Sequence, residues 1–175
     1  MCKLLNHIVP VRGSSTRKNE ENIVFLGRFM RNTSFNRPLP PSEVKLKPIG
    51  WVRNNIEKPQ PNGWENIKSI IEIEADYEKH LARIEEYSHI ILICYLDLAA
   101  AAPIKPTQIK EIGIFATRSQ LRPNHLAVSS VRLLGRTGNN LKVQGLDSIN
   151  GTPVLDIKPY LPFYDSFDNA QIPEK

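Results

Sequence analysis

Cysteine is nearly absent: the chain has 175 residues and only Cys2 and Cys94. Cys94 lies in an apolar run and Cys2 adjoins the initiator, so no disulfide framework is expected, and a reducing, cytoplasmic setting fits best. Cysteine and histidine clusters at zinc-ligand spacing are also missing, because His7, His80, His89 and His125 are scattered; no metal is expected. Long apolar runs are lacking. The longest, Ile90 to Leu96, falls far short of the roughly 20 residues that cross a bilayer. No long apolar stretch follows the N-terminal charges, so a secretory signal is not expected. The nine glycines form no loop joining a strand to a helix, which excludes Rossmann and phosphate-loop nucleotide sites. A Gly-x-Ser-x-Gly elbow is absent, which argues against a serine hydrolase. Aromatic residues make up 7% of the chain, with two tryptophans; Trp51 and Trp64 suit either base stacking or core packing.

What remains is an ordinary soluble composition, 41% hydrophobic and 23% charged, long enough to bury a core without staples. The formal net charge is +5. It is uneven: residues 1–44 hold seven Lys or Arg against three acids, and residues 45–175 hold sixteen against fifteen. A basic arm on a near-neutral body offers non-specific attraction to phosphate, or is simply a solvated tail. Lys3, Arg12, Arg17 and Lys18 stand among Ser14, Ser15 and Thr16 without an acid, loosely like a transit peptide, but the run is short and contains Pro10.

The composition breaks at Arg37 to Pro41, where three prolines in four positions favour an extended linker. Residues 1–44 therefore read as an arm in which Ile23 to Met30 can form one strand. Residues 45–165 read as a barrel domain, and 166–175 as a tail. Strands are expected over Ile49–Arg53, Ile67–Glu74, Ser88–Leu96, Ile109–Thr117, His125–Leu134, Leu141–Leu146 and Val154–Pro159, from alternation or continuous apolar character. Glu78 to Glu86, with Leu81 and Ile84 at helical spacing, is the single expected helix. Turn chemistry falls at 122–124, 138–140 and 150–153. Many short strands with one short helix predict a mainly β fold, a closed or nearly closed small barrel with an N-terminal extension.

Two stretches are specific: Gly113-Ile-Phe-Ala-Thr-Arg-Ser-Gln-Leu-Arg-Pro-Asn124, followed by Ser129, and Gly145-Leu-Asp-Ser-Ile-Asn-Gly-Thr-Pro-Val-Leu-Asp-Ile-Lys-Pro-Tyr160. With Ile49-Gly50, Tyr87-Ser88-His89 and Pro159-Tyr160-Leu161-Pro162 in order, the sequence resembles the TsaA-like family of tRNA adenine methyltransferases, also called TrmO, over roughly residues 46–164. The resemblance implies a small β-barrel that works as a homodimer and binds S-adenosyl-L-methionine near the subunit interface. It further implies methylation of the exocyclic amine of a threonylcarbamoyl-modified adenosine beside the tRNA anticodon.

By position in the family, Pro59, Gln60, Pro61, Leu96, Asp97, Arg118, Val128, Asp147, Ser148, Ile149 and Asn150 are candidate contacts for the methyl donor. Arg118 suits the donor carboxylate or an RNA phosphate, since guanidinium forks onto either. Asp147 suits ribose hydroxyls or the donor amine. Arg122 and Lys158 are candidates for RNA. Methyl transfer is mostly geometric, needing sulfur, carbon and nitrogen nearly in line. An acceptor near the amine hydrogens, Asp97, Asn150 or the region of Asn124, would expose the nitrogen lone pair. Plain structural roles stand beside these: Arg118 bracing a turn, Asp147 and Asn150 capping a loop, Arg122-Pro123-Asn124 as a turn.

The chain departs from the family pattern where His125, Leu126, Ala127 and Val128 replace Pro-Ile-Gly-Leu, where Asn150 replaces Asp, and where Asp97 stands in place of a histidine. Asp97 restores the charge lost at Asn150 if the two face one cavity. The competing functions are an RNA- or nucleotide-binding barrel without turnover, and methylation of another acceptor.

Overall fold

The computed structural model describes residues 43–101 and 113–173. The expected strand at Ile23 to Met30, the proline-rich linker, the basic residues of the arm and the first part of the strand expected from Ile109 lie outside the described residues. Two units divide the chain, Met1–Val44 and Lys45–Lys175, and the second holds the barrel.

Its described residues form six strands: β1 (Gly50–Arg53), β2 (Lys68–Ile73), β3 (His89–Tyr95), β4 (Leu126–Thr137), β5 (Asn140–Gln144) and β6 (Pro153–Pro159). They close into a barrel in the order β1-β2-β5-β4-β3-β6, with antiparallel neighbours throughout. The expected mainly β barrel is therefore the fold.

The alternation in the sequence explains the faces. In β2, Ser69, Ile71 and Ile73 point inward while Lys68, Ile70 and Glu72 point out. The apolar run of β3 resolves into buried Ile90, Leu92 and Cys94, with Ile91 and Ile93 half-buried on the outer face. Val52, Val131, Leu141, Val143, Leu146 and Val154 complete a core in which most side chains are fully enclosed. Each such side chain contributes about 1.5–3 kcal/mol. A register shift between Leu133 and Gly135 bends the twelve-residue β4, so its first half pairs with β3 and its second with β5. At the turn before β6, Gly151 takes φ 82, and Thr152 N–H donates to the Ile149 carbonyl at 3.3 Å. That positive φ suits glycine.

Two expectations about elements are corrected. Glu78–Glu86 is not one helix but two 3-10 turns, Ala75–Leu81 and Ile84–Glu86, separated by Arg83 at φ 68. Leu81 is buried and Ile84 packs against the core, which a spacing of three satisfies in either helix type. Residues 113–117 are not strand: Ile114–Ala116 is a 3-10 turn with Phe115 exposed. Two short α-helices also occur, Asp97–Ala101 in the alanine run and Pro162–Asp165 after β6.

Cys94 is sealed in the core at 1% exposure. Burial pushes its thiol up to about 12, the Asp147 charge adds to this, and the Ser148 hydroxyl opposes it. The Ser148 hydroxyl lies near enough to lower the thiol, yet among the described residues it makes no hydrogen bond of ordinary geometry. The thiolate is the reactive form. In a Cys2→Ser variant, Cys94 is expected to resist a thiol reagent at pH 8 and to react fully in denaturant; fast labelling of the folded protein would contradict the enclosure. An acid raised in the fold stays protonated there while the unfolded chain ionises. This contribution to stability is thus intact below about pH 9 and declines as pH rises toward 12.

Candidate functional site

A cleft of about 810 Å³ opens where β3 ends and β4 begins. Three stretches of chain form most of its wall. Leu96 lies just past β3, and its N–H donates to the His125 carbonyl at 2.9 Å, which ties the end of β3 to the start of β4. Leu126, Ala127, Val128 and Ser129 open β4 along the cleft. Residues 115–124 form a loop laced by its own polar side chains. Thr117 Oγ1 donates to the Ile114 carbonyl at 2.8 Å, Leu121 N–H donates to Ser119 Oγ at 3.1 Å, and Arg122 Nη1 donates to the Thr117 carbonyl at 2.8 Å. Short hydroxyl side chains hold such turns by taking over backbone partners.

Among the described residues, the charges in the cleft are two guanidinium groups and one carboxylate. Arg118 Nη2 donates to the Val128 carbonyl at 2.8 Å, which aims the fork along the first residues of β4. A guanidinium has five N–H donors, so this bond leaves others for a ligand. Asp147 follows β5, and its Oδ1 accepts from Ser129 Oγ at 2.5 Å. Arg122 lies over the Phe115 ring, 5.4 Å from its centroid. On the remaining side Pro59, Gln60 and Trp64 line the cleft, with the indole N–H donating to the Gln60 carbonyl at 2.8 Å. The mixture of apolar wall and a few fixed polar groups, at this size, is that of a small-molecule site.

A smaller depression, about 620 Å³, lies over β1, β2, β4 and β5. Three of its charged groups are engaged locally, Arg53 with Glu72 at 2.6 Å and Arg136 with the Gly138 and Leu81 carbonyls, and Lys142 also lines it. The larger cleft is the better candidate.

Of the residues singled out in the sequence, Pro59, Gln60, Leu96, Arg118, Arg122, Asn124, Val128 and Asp147 line the cleft together. Pro61, Asp97, Ser148, Ile149, Asn150 and Lys158 are not part of its lining. Asp97 begins the short helix Asp97–Ala101 on an exposed position. Ser148 is 3% exposed and turns into the core, because it alternates with Asp147 along an extended chain. Asn150 is engaged elsewhere. Its Nδ2 donates to Glu57 at 3.2 Å, its Oδ1 accepts from Asn54 N–H at 3.4 Å, and its own N–H donates to the Ile56 carbonyl at 2.7 Å. Asp97 and Asn150 thus do not share this cavity. Lys158 pairs with Asp156 at 2.7 Å on β6.

Sequence reasoning gave no role to Phe115 or Ser129. The signal available for Phe115 was the one aromatic residue in the motif over 113–124. It also overlooked Asn54, whose Nδ2 joins Ser69 Oγ at 3.0 Å to the Ser148 carbonyl at 2.9 Å and so anchors the loop beside Asp147.

The departures from the family pattern have physical consequences. His125 takes φ 49, and its N–H donates to the Arg122 carbonyl at 3.0 Å. Proline allows neither, since its ring fixes φ near −65° and it has no N–H. His125→Pro is therefore expected to lower the melting temperature by several degrees and loosen the cleft wall, whereas His125→Gly is expected to be neutral or better. Thermal unfolding of both variants checks this; equal stability of the proline variant would refute it. Ala127 packs against the core beside Cys94 on β3, so its methyl group is accommodated.

The fold and cleft define a class, a small closed antiparallel barrel with a cleft where β3 ends and β4 begins. Residues 53–166 match the model of the tRNA-methyltransferase O N-terminal domain. A probable S-adenosyl-L-methionine-binding protein of Pyrococcus abyssi is 36% identical over 140 residues, covering 75% of this chain and 76% of its own. An S-adenosyl-L-methionine-binding protein of Archaeoglobus fulgidus is 36% identical over 133 residues, covering 72% and 96%. The human tRNA (adenine(37)-N6)-methyltransferase is 35% identical over 102 residues, which is 55% of this chain and 23% of that one. The crystal structure of TrmO from Pseudomonas aeruginosa superposes with a TM-score of 0.62 at 31% identity, over 74% of this chain and 61% of that one. The chain belongs to the TrmO family, as the two motifs imply. Among the described residues no helix is long and apolar enough to cross a membrane, and no group of three or more His, Cys, Asp or Glu is placed to hold a metal.

Proposed function

We propose that this chain is an S-adenosylmethionine-dependent tRNA methyltransferase. Its acceptor is the exocyclic amine of a threonylcarbamoyl-modified adenosine beside the anticodon, and it works in the cytoplasm as a homodimer. The same reading divides the chain into an arm over 1–44, the barrel domain over 45–165 and a tail over 166–175. The observation that carries the proposal is the convergence of Gln60, Leu96, Arg118, Val128 and Asp147, from well-separated parts of the chain, on one cleft.

The residues present fit the donor. Its amino-acid end bears a carboxylate and an ammonium group, and the cleft offers the Arg118 guanidinium and the Asp147 carboxylate, each with hydrogen-bond capacity beyond the bond it already makes. Asp147 Oδ1 is taken by Ser129, which leaves Oδ2 for the ammonium or a ribose hydroxyl. Leu96 and Val128 supply apolar flanks. When bound, the donor supplies an electrophilic methyl group on a cationic sulfur. The chain's own part is to hold both reactants in line, an effect worth several kcal/mol without a strong base. Asn124 lies in the cleft, and its side-chain oxygen suits the amine hydrogens. Accepting from them would turn the nitrogen lone pair toward the methyl carbon.

The test is transfer of radiolabelled methyl from S-adenosylmethionine to total tRNA with and without the threonylcarbamoyl group. Label in modified tRNA alone is the expected result. Equal label in both would remove the modified base as a requirement. Absence of label with donor binding intact would point to a different acceptor, and absence of donor binding would overturn the proposal.

A further inference from the structure

Phe115 is 73% exposed, yet its place is fixed. Ala116 N–H donates to the Gly113 carbonyl at 2.9 Å, and Thr117 N–H to the Ile114 carbonyl at 3.2 Å, which set the turn that carries the ring. Single exposed apolar side chains are common and need no explanation. This one differs in two respects. It lines the cleft, and a guanidinium covers part of its ring: Arg122 is 5.4 Å from the centroid and is itself held by the Thr117 carbonyl. A fixed aromatic ring backed by a cation, at the mouth of a ligand cleft, has the make-up of a stacking platform for a flat, electron-rich ring.

We infer that Phe115, backed by Arg122, is the surface on which the acceptor nucleobase stacks. This rests on the function proposed above and adds the residue that holds the base. Two sources of an adenine ring exist, the donor and the RNA. The RNA is favoured because its base must enter while attached to a polymer, which an exposed rim permits, and because Arg122 brings positive charge beside the backbone phosphates. The apolar contacts at Leu96 and Leu126 are less exposed than Phe115 and better suited to a small free ligand.

The experiment compares the full chain with Phe115→Ala, Phe115→Leu and Phe115→Trp. Three quantities are read: the affinity for a fluorescently labelled anticodon stem-loop RNA, the KM and kcat for tRNA, and the donor affinity without RNA. The alanine and leucine variants are expected to bind RNA about tenfold more weakly and to raise KM similarly, while tryptophan stays within about twofold of the original. Donor affinity is expected to stay within about twofold in all three. Full affinity in the leucine variant would reduce the contact to plain apolar packing and overturn the inference, as would an unaffected alanine variant. A matching loss of donor affinity without RNA would assign the ring to the donor's adenine instead. If the unaltered chain methylates tRNA but Phe115→Ala is indistinguishable from it, this inference alone fails. If the unaltered chain neither binds nor methylates RNA, the proposed function fails with it.

Discussion

Arg118→Ala is expected to reduce methyl transfer at sub-saturating donor by about 100-fold, with the melting temperature changed by only a few degrees. The reason lies in the two roles open to one guanidinium. Its Nη2 braces the Val128 carbonyl at 2.8 Å. Loss of such a neutral acceptor's partner costs about 0.5–1.5 kcal/mol, partly recovered by water because Arg118 is exposed. A forked bond to a carboxylate is stronger, and its loss leaves the ligand's charge without a partner in the cleft. Lysine in place of Arg118 is expected to restore little, because a point charge reproduces neither the fork nor the brace. Calorimetric donor affinity and initial rates separate the cases. Weaker donor binding with unchanged stability assigns the residue to the donor. Unchanged donor binding with weaker RNA binding would move it to a phosphate. No change in either would leave only the brace.

How much of this was legible beforehand differs by element. Strand positions were readable where inward and outward residues alternate, as in Ser69, Ile71 and Ile73 against Lys68, Ile70 and Glu72. The 3-10 turns were not, because Leu81 and Ile84 satisfy helical spacing while the break depends on Arg83 at φ 68, and arginine carries no sequence signal for that conformation. Around the cleft, residues 115–124 of the first motif line one wall, while the strand expected over Ile109–Thr117 gives way, at its described end, to a 3-10 turn that leaves Phe115 exposed. The motif from 145 onward gave Asp147 together with Ser148, Ile149 and Asn150. Adjacent residues of an extended chain face opposite ways, so Ser148 is drawn into the core. Asn150 is drawn to Glu57 and Asn54, residues nearly a hundred positions away that no local pattern reveals.

Gly50→Ala is expected to destabilise the barrel by about 3 kcal/mol or more, the largest stability effect of any single methyl group considered. A Cβ at Gly50 would lie 2.3 Å from the Glu72 carbonyl oxygen and 2.9 Å from Ile73 Cα. Both are backbone atoms of β2, so no rotamer change relieves the clash and β1 must move as a whole. β1 can move least safely of all the strands. Its ladder to β6 has only two residue pairs, Gly50 with Val154 and Trp51 with Pro153, and that ladder closes the barrel. Gly151→Ala offers the contrast. Nothing lies within 4 Å of its added methyl, so the cost is only the strain of φ 82, about 1–2 kcal/mol. Urea unfolding of the two variants should rank Gly50→Ala well below Gly151→Ala; the reverse order would mean that β1 shifts freely and the seam is loose. A functional consequence follows from the chain of contacts. β1 runs directly into Asn54, Asn54 holds the Ser148 carbonyl, and Ser148 adjoins Asp147 in the cleft. Donor affinity should therefore fall in Gly50→Ala even below its unfolding transition, because closing the barrel is what fixes the Asp147 carboxylate in the cleft that Arg118 also lines.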